Sequence, residues 1–270
     1  MRKPITAVII LAVTAALLYF AYTHLAASYV AEGQAAEALA AAGADVETEP
    51  ADVGLVQWLV GERNCIRIVG LSARRLENAD AMLAQTAGCA HLQRVQLEQT
   101  DVSDQGLKAL ANKTALESLE ILGSVRRPSQ VTDEGVAHLA GLSNLERLAL
   151  TDAQVTDKSL HTIAQFKQLR NLSLHRTAIT GDNLEKLAQL PKLKWLHLNG
   201  TPVTDESMRA ASKLATLEHL SLTNTSLTDA AIKYLSQLRH LDRLSIGGTN
   251  ITDRGRDRLK TALGGVIIDF

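Results

Sequence analysis

One pattern of leucines occurs seven times between Leu92 and Gly265, and this repeat constrains the fold more than any other feature of the chain. The pattern is L-x-x-L-x-L-x-x-T-x-V-T-D-x-x-L-x-x-L-A-x-L, with a step of 24 residues except once, where the step is 29. A unit of this length cannot bury its apolar face alone and needs stacked neighbours to cover it. The repeat therefore predicts a solenoid. Its units begin at Leu92, Leu116, Leu145, Leu169, Leu193, Leu217 and Leu241.

Each unit is expected to contain one strand and one helix. In the third unit, Leu148 and Leu150 alternate with their neighbours as on a strand that buries one face. Thr156 and Asp157 follow, and side chains of these types accept hydrogen bonds from the free amides at a helix start. The predicted fold class is therefore α/β: a horseshoe-like solenoid with parallel strands on the concave face and short helices on the convex face.

The pattern closely resembles the leucine-rich repeat proteins, in particular the ribonuclease-inhibitor-like and cysteine-containing subclasses, whose units often read ITDxGL after the strand. Residues 131–136, Val-Thr-Asp-Glu-Gly-Val, are the nearest match. The resemblance implies the fold and a role in binding, but such scaffolds serve unrelated partners. Those families usually place Asn or Cys at the ninth position, where five of the seven units of this chain have threonine. We expect these hydroxyls to bond backbone groups across adjacent coils. The threonines are Thr100, Thr177, Thr201, Thr225 and Thr249.

An apolar segment precedes the repeats. Residues 5–22 are almost wholly apolar and follow Arg2 and Lys3, and about 20 apolar residues span a bilayer as a helix. We therefore expect an N-terminal transmembrane helix, with the basic pair inside and the repeats facing the periplasm or the exterior. A cleavable signal peptide is the alternative, because residues 26–28 are small. Cleavage would give a secreted protein.

Four segments follow from these patterns. Residues 1–30 form the membrane anchor or signal segment, and residues 31–50 form an alanine-rich and acidic linker with a short exposed helix. Residues 51–91 are expected to form an N-terminal cap and an irregular first coil. Residues 92–270 hold the leucine-rich repeats.

The two cysteines, Cys65 and Cys89, are 24 residues apart, which is one repeat. Equivalent positions on stacked coils lie roughly 5 Å apart, within the Cα range that a disulfide accepts. A disulfide in an exported cap is one prediction. The alternative is that Cys89 is a small buried apolar residue in the column that later holds Leu142, Leu190 and Leu214.

The candidate binding residues are those on the strand face that points away from the core. Trp195 lies at the third position of its unit, and an exposed Trp on a polar sheet is typical of an interface anchor. Packing against its neighbours is the alternative reading. His175, His197 and His219 are spaced 22 residues apart and form a diagonal around Trp195. The remaining predicted contacts with a partner are Asn171, Arg147, Asn199, Arg126 and Arg127.

The three histidines also raise the question of a metal. Neighbouring imidazoles could share an ion, but the outer two are too far apart for a three-histidine site, and we expect no acid or thiol beside them. The sequence therefore predicts no metal site. The histidines are expected to be polar contacts that become cationic below about pH 6.5, so that ligand binding changes between about pH 5.5 and 7.5.

The 29-residue unit carries the insertion 125–130 with Arg126, Arg127 and Pro128. Loops inserted on one side of a repeat stack often mark the binding side, and two adjacent arginines suit a carboxylate or phosphate on a partner. An ordinary surface loop is the alternative.

The sequence predicts a non-catalytic protein-protein interaction module. A net charge of -1, from 28 basic and 29 acidic residues, gives no field that would attract nucleic acid. The motifs G-x-S-x-G, H-E-x-x-H and G-x-x-x-x-G-K-[ST] are absent, so we expect no catalytic residues and no cofactor. The expected partner is a protein ligand or a cell-envelope polymer, bound by membrane-tethered repeats. The alternatives are a substrate-recognition adaptor like the F-box proteins of ubiquitin ligases, or a secreted repeat protein with a structural role in the envelope.

Overall fold

Alternating leucines make each unit contribute one strand to a single sheet. The computed structural model describes residues 19–20, 27–51 and 66–270. In this part of the chain the sheet has ten strands in chain order. β1 is antiparallel to β2, and all later neighbours are parallel. The strands are β1 Asp45–Pro50, β2 Ile66–Arg74, β3 Arg94–Glu98, β4 Ser118–Leu122, β5 Arg147–Thr151, β6 Asn171–Ser173, β7 Trp195–His197, β8 His219–Ser221, β9 Arg243–Ser245 and β10 Ile267–Asp269.

A helical segment follows each strand from β2 to β9. The α-helices are α1 at 27–41, α2 Ala79–Ala84, α3 Asp104–Leu110, α4 Asp133–His138, α5 Ser159–Ile163, α6 Ser207–Ala211, α7 Ile232–Leu235 and α8 Asp253–Ala262. In addition, 3₁₀ helices occur at Gln85–Gly88, Leu139–Gly141, Leu184–Gln189 and Asp229–Ala231. After β6 the helical segment is the 3₁₀ helix Leu184–Gln189 alone.

The core is a set of leucine columns that run along the stack. Leu148, Leu172, Leu196 and Leu220 pair in register on successive strands, and each is at most 1% exposed. Leucines at the first and sixth positions are buried beside them. Each coil therefore covers the apolar face of the next, and the predicted α/β leucine-rich repeat solenoid with parallel strands and short helices is confirmed.

The threonines that precede the helices cap them as predicted. The Thr132 hydroxyl accepts a hydrogen bond from the amide of Glu134 at 3.2 Å, and Thr228 and Thr252 cap their helical segments in the same way. Such caps satisfy amides that have no partner inside the helix.

The aspartates beside these threonines link adjacent coils, which the sequence did not indicate. Asp133 accepts hydrogen bonds from the amide and hydroxyl of Thr156, at 2.9 and 2.7 Å, and from the Ser159 hydroxyl. Burial favours the neutral form of Asp133, but the hydrogen bonds from Ser159 and Thr156 bring its pKa below the ordinary value. The same link joins Asp104 to Thr132, Asp157 to Thr180, Asp205 to Thr228 and Asp229 to Thr252.

The expectation that the ninth-position threonines bond across coils was wrong. Thr177, Thr201 and Thr225 each donate to the carbonyl three residues earlier in their own coil, at 2.6 to 2.8 Å. The chain turns sharply where the eighth residue of a unit has a positive φ, as at Asp152 and Arg176. The turn brings the threonine hydroxyl back over its own strand.

The predicted fold class was wrong in placing a transmembrane helix ahead of the repeats. Among the described residues, no helix is long and apolar enough to cross a bilayer. The helix α1 contains two acidic residues, Glu32 and Glu37, and Glu32 is buried where α1 packs on the first coil. Apart from Tyr19 and Phe20, the segment 5–22 lies outside the described residues. The location outside the cytoplasm stays a prediction.

Residues 31–50 differ from the predicted linker with an exposed helix. α1 packs on the first coil through Leu39, which is fully buried, and through Ala35 and Ala36. The following residues pair with β2 as β1. The amide of Ile68 binds the Glu32 carboxylate, so a buried acid that looks like a linker residue instead fixes the helix.

The predicted disulfide is not tested by the described residues, because Cys65 lies outside them. Cys89 is fully buried in the core beside the leucine columns. Burial raises the pKa of its thiol to about 11, so the thiolate that would react or bind metal is disfavoured. This position fits the alternative reading of Cys89 as a small apolar core residue.

Candidate partner-binding surface

A band of polar and aromatic side chains lies across the middle of the strand face, opposite the helices. Strand register places Trp195 between Asn171 on β6 and His219 on β8, and Ser173 beside His197. These residues are half-buried. We call the band the central patch. It consists of Asn171, Ser173, His175, Trp195, His197, Asn199, His219 and Ser221.

Trp195 packs on a neighbour and also remains accessible. Its ring lies parallel to that of His219, with centroids 5.6 Å apart and planes inclined by 11°. The strand alternation that buries Leu196 leaves both rings on the outer face. The stack holds the indole in one orientation, so little side-chain entropy remains to be lost when a partner covers it.

Two histidines of the central patch, His175 and His197, have pKa values below the ordinary value, which favours their neutral form. Burial and the nearby Arg176 guanidinium lower the pKa of His175. Burial and the charges of His219 and His175 lower the pKa of His197. In addition, His175 Nε2 lies 2.8 Å from Arg176 Nη1. Since a guanidinium can only donate, this imidazole nitrogen must accept and therefore carry no proton.

Asn199 was predicted as a contact with a partner, but its carbonyl oxygen is used inside the scaffold. Oδ1 accepts hydrogen bonds from the Ser221 hydroxyl at 2.5 Å and from the amide of Thr223 at 3.0 Å. The side chain thus joins two adjacent coils at the edge of the central patch. The sequence signal for this role is an Asn at the end of one strand, opposite small hydroxyl residues on the next.

Arg147 lies next to the central patch and is paired within the sheet. Its guanidinium is 3.4 Å from the Glu120 carboxylate, and Arg94 likewise pairs with Glu47 at 2.9 Å. These four side chains help to line a cavity of about 610 Å³ at the N-terminal end of the strand face. Sequence reasoning missed this cavity because Glu47 belongs to β1, which was predicted to be a linker.

Acidic groups lie beside one of the histidines, contrary to the expectation from sequence. Ligand atoms of Glu218, His219 and Asp242 lie within 4.8 Å of one another. The side chains come from the second and third positions of neighbouring units, which stacking brings together. Lys194 places its ammonium 2.6 Å from the Glu218 carboxylate, so this acid already has a cationic partner.

Arg126 and Arg127 do not join the central patch. They lie on the loop after β4, at the ends of the strands. The structure places them with Arg176, whose neighbour His175 belongs to the central patch. The predicted contacts therefore divide into two surfaces that meet at Arg176.

Comparisons with known proteins agree with this geometry. Residues 88–111 match the family described as Leucine Rich repeat. Among solved structures, an internalin (inlF) of Listeria monocytogenes has 23% identity and a TM-score of 0.54, with 70% of this chain and 57% of that chain covered. Internalin C2 (inlC2) of the same organism has 24% identity and a TM-score of 0.57, with 74% and 80% covered. At this identity the likeness concerns the fold alone.

No curated protein matches the sequence. The chain spans a little over half of the first internalin structure. The resemblance to the ribonuclease-inhibitor-like and cysteine-containing subclasses is not confirmed by these comparisons. The matched segment and the fold shared with the internalins support a leucine-rich repeat solenoid architecture for this chain.

Proposed function

We propose that this protein is a non-catalytic interaction module that binds a protein partner through the central patch. The observation that carries this proposal is the Trp195–His219 stack, which is only partly buried and lies on an otherwise polar strand face. Large rigid rings on an open surface contribute little to the stability of a single chain. They are the residue types that most often anchor a protein interface.

The surroundings of the stack support a protein partner. The amide of Asn171 and the hydroxyl of Ser173 offer donors and acceptors without a charge. The lowered pKa values of His175 and His197 favour neutral rings beside them near pH 7. Charged pairs such as Arg147 with Glu120 and Arg243 with Asp269 lie on either side. An aromatic centre with a polar rim is the common arrangement of a protein interface.

Replacement of Trp195 by alanine tests the proposal. Wild-type protein immobilised on beads should retain one or more partners from an extract of the source cells, and Trp195→Ala should reduce their affinity by about 30-fold or more. This corresponds to about 2 kcal/mol, the usual lower bound for a central aromatic anchor. The measurement is quantitative mass spectrometry of the bound proteins, followed by titration of each purified partner.

His161→Ala is the matched control, because His161 is an exposed aromatic residue on α5, on the opposite side of the coil. This variant should retain the partners as well as the wild type does. Equal retention of every partner by the wild type and Trp195→Ala would contradict the proposal.

Binding at the central patch should weaken in mild acid. The pKa values of His175 and His197 are below the ordinary value of 6.5, so both rings are neutral at pH 7 and gain a proton only below about pH 6.5. Protonation would break the Arg176–His175 contact and place like charges side by side. We expect constant affinity from about pH 7 to 8 and a fall below about pH 6.5, measured by titration calorimetry with a partner.

Substitution of both His175 and His197 distinguishes histidine protonation from general acid denaturation as the cause of weaker binding. In the variant His175→Gln/His197→Gln, affinity should change little between about pH 5.5 and 7.5. A wild-type profile that is flat over the same range would count against neutral histidines at the interface.

A further inference from the structure

The insertion after β4 forms a rigid turn. Ser124 and Arg127 exchange two backbone hydrogen bonds, at 2.9 and 3.0 Å, and the Ser124 hydroxyl accepts a further bond from the Arg127 amide. The bases of the loop are fixed to the next coil, because the amide of Gly123 donates to Thr151 and that of Ser129 donates to Asp152, both at 3.0 Å. This leaves Val125 and Arg126 at the tip.

The side chains at the tip of the turn are exposed and do not pack on the core. Val125 is 81% exposed, more than any other large apolar residue in the described part of the chain. Within the same part of the chain, the Arg126 guanidinium has no hydrogen bond and no ion pair. Holding an exposed valine rigidly in water has no stabilising effect, so its presentation suggests contact with another molecule.

Four arginines surround the tip. Arg75, Arg126, Arg127 and Arg176 line a cavity of about 600 Å³ together with Gln99, Ser124 and Val125, and none of the lining residues is acidic. Two of the arginines have acidic partners, Glu77 for Arg127 and Asp152 for Arg176. Among the described residues, the Arg75 side chain binds only the neutral Gln99 side chain. The cavity therefore keeps an excess of positive charge from Arg75 and Arg126.

The guanidinium of Arg176 is held in place by Asp152. Arg176 has a φ of 51°, and its guanidinium donates two hydrogen bonds to the Asp152 carboxylate. A bidentate pair of this kind keeps the guanidinium oriented. The guanidinium also contacts His175, so the cavity borders the central patch at Arg176.

We propose that this rim cavity, lined by Arg75, Arg126, Arg127, Arg176 and Val125, binds an acidic segment of a protein partner that carries an aliphatic side chain next to its carboxylates. Guanidinium groups bind carboxylates through paired hydrogen bonds. The aliphatic side chain of the partner is inferred from Val125. A small anion bound to the arginines would leave Val125 exposed to water, whereas an aliphatic side chain would cover it. The site is distinct from the central patch, and its test does not depend on the role of Trp195.

The experiment uses the full chain and a fluorescein-labelled synthetic peptide of alternating glutamate and leucine. Fluorescence anisotropy at about 50 mM salt, where screening is weak, gives the Kd. The variant Arg126→Ala/Arg127→Ala should raise this Kd by about tenfold or more. Val125→Ser should raise it about threefold for the glutamate–leucine peptide, and not at all for a peptide of glutamate and glycine. These factors follow from the loss of charged and apolar contacts at the tip.

Two variants serve as controls. Arg239→Ala removes an exposed arginine from a distant part of the stack, and Trp195→Ala removes the anchor of the central patch. Both should bind the peptide with the wild-type Kd. Failure of the central-patch proposal would thus leave this result unaffected.

Three outcomes would overturn the proposal. The first is equal affinity for a peptide with glutamine in place of glutamate, and the second is an unchanged Kd in Arg126→Ala/Arg127→Ala. The third is displacement of the peptide by inorganic phosphate at equal concentration, because the cavity would then be a simple anion site.

Discussion

Phe166→Ala is expected to lower the free energy of unfolding by about 3–5 kcal/mol, since the loss of a fully buried aromatic ring removes its contacts and leaves a cavity. Phe166 is 1% exposed and is the largest fully buried side chain in the described part of the chain. It lies in the column between Leu142 and Leu190, at the turn that closes its coil. Chemical denaturation followed by circular dichroism measures the change.

Phe166→Ala should also make unfolding of the stack less cooperative. Each coil of a solenoid contacts only its neighbours, so a weakened coil in the middle reduces the coupling between the two halves. We expect Phe166→Ala to broaden the unfolding transition, with a lower dependence on denaturant than the wild type shows.

Phe166→Leu is the matched control. Leucine occupies the same column in neighbouring coils, so this variant should lose no more than about 1.5 kcal/mol. Equal losses for alanine and leucine at this position would show that the ring does not fill the core as described.

Glu32→Ala should lower the free energy of unfolding by about 3 kcal/mol and release α1 from the first coil. Glu32 is 0% exposed, and its carboxylate accepts a hydrogen bond from the amide of Ile68 at 2.8 Å and lies 3.3 Å from His91 Nδ1. Removal of the acid leaves the buried amide of Ile68 without an acceptor. Hydrogen exchange should therefore accelerate at Ile68 and along α1, which mass spectrometry of peptic fragments would detect.

Glu37 provides the control on the same helix. It is exposed, so Glu37→Ala should change stability by less than about 0.5 kcal/mol. Glu32→Gln keeps an acceptor for the Ile68 amide, so its loss of stability should lie between those of Glu37→Ala and Glu32→Ala. If Glu32→Ala and Glu37→Ala behaved alike, the buried carboxylate would not be what holds α1 in place.

The strand and helix of each unit could be predicted because the positions of the leucines largely define the repeat. Alternation at Leu148 and Leu150 predicted a strand, and Thr156 with Asp157 predicted a helix start, since both depend on residues close in sequence. The prediction failed where the pattern stops. Glu32 resembles a linker residue until Ile68 is placed beside it, and nothing local in the sequence shows that contact.

The binding surfaces were predictable only in part. Trp195 and the histidines could be placed on the strand face by counting along each unit. Counting could not show that Trp195 stacks on His219, or that the Asn199 oxygen is already bonded to Ser221 and Thr223. It also could not show that Arg75 joins Arg126 at one cavity.

The leucine period by itself determined that the coils stack and which face of each strand is buried, because burying those side chains requires a neighbour one repeat away. Only the tertiary structure decided the cap and the two candidate surfaces. These depend on contacts between coils and with residues before the first repeat. Such contacts are set by how side chains meet in space, and the order of residues along one unit does not specify them.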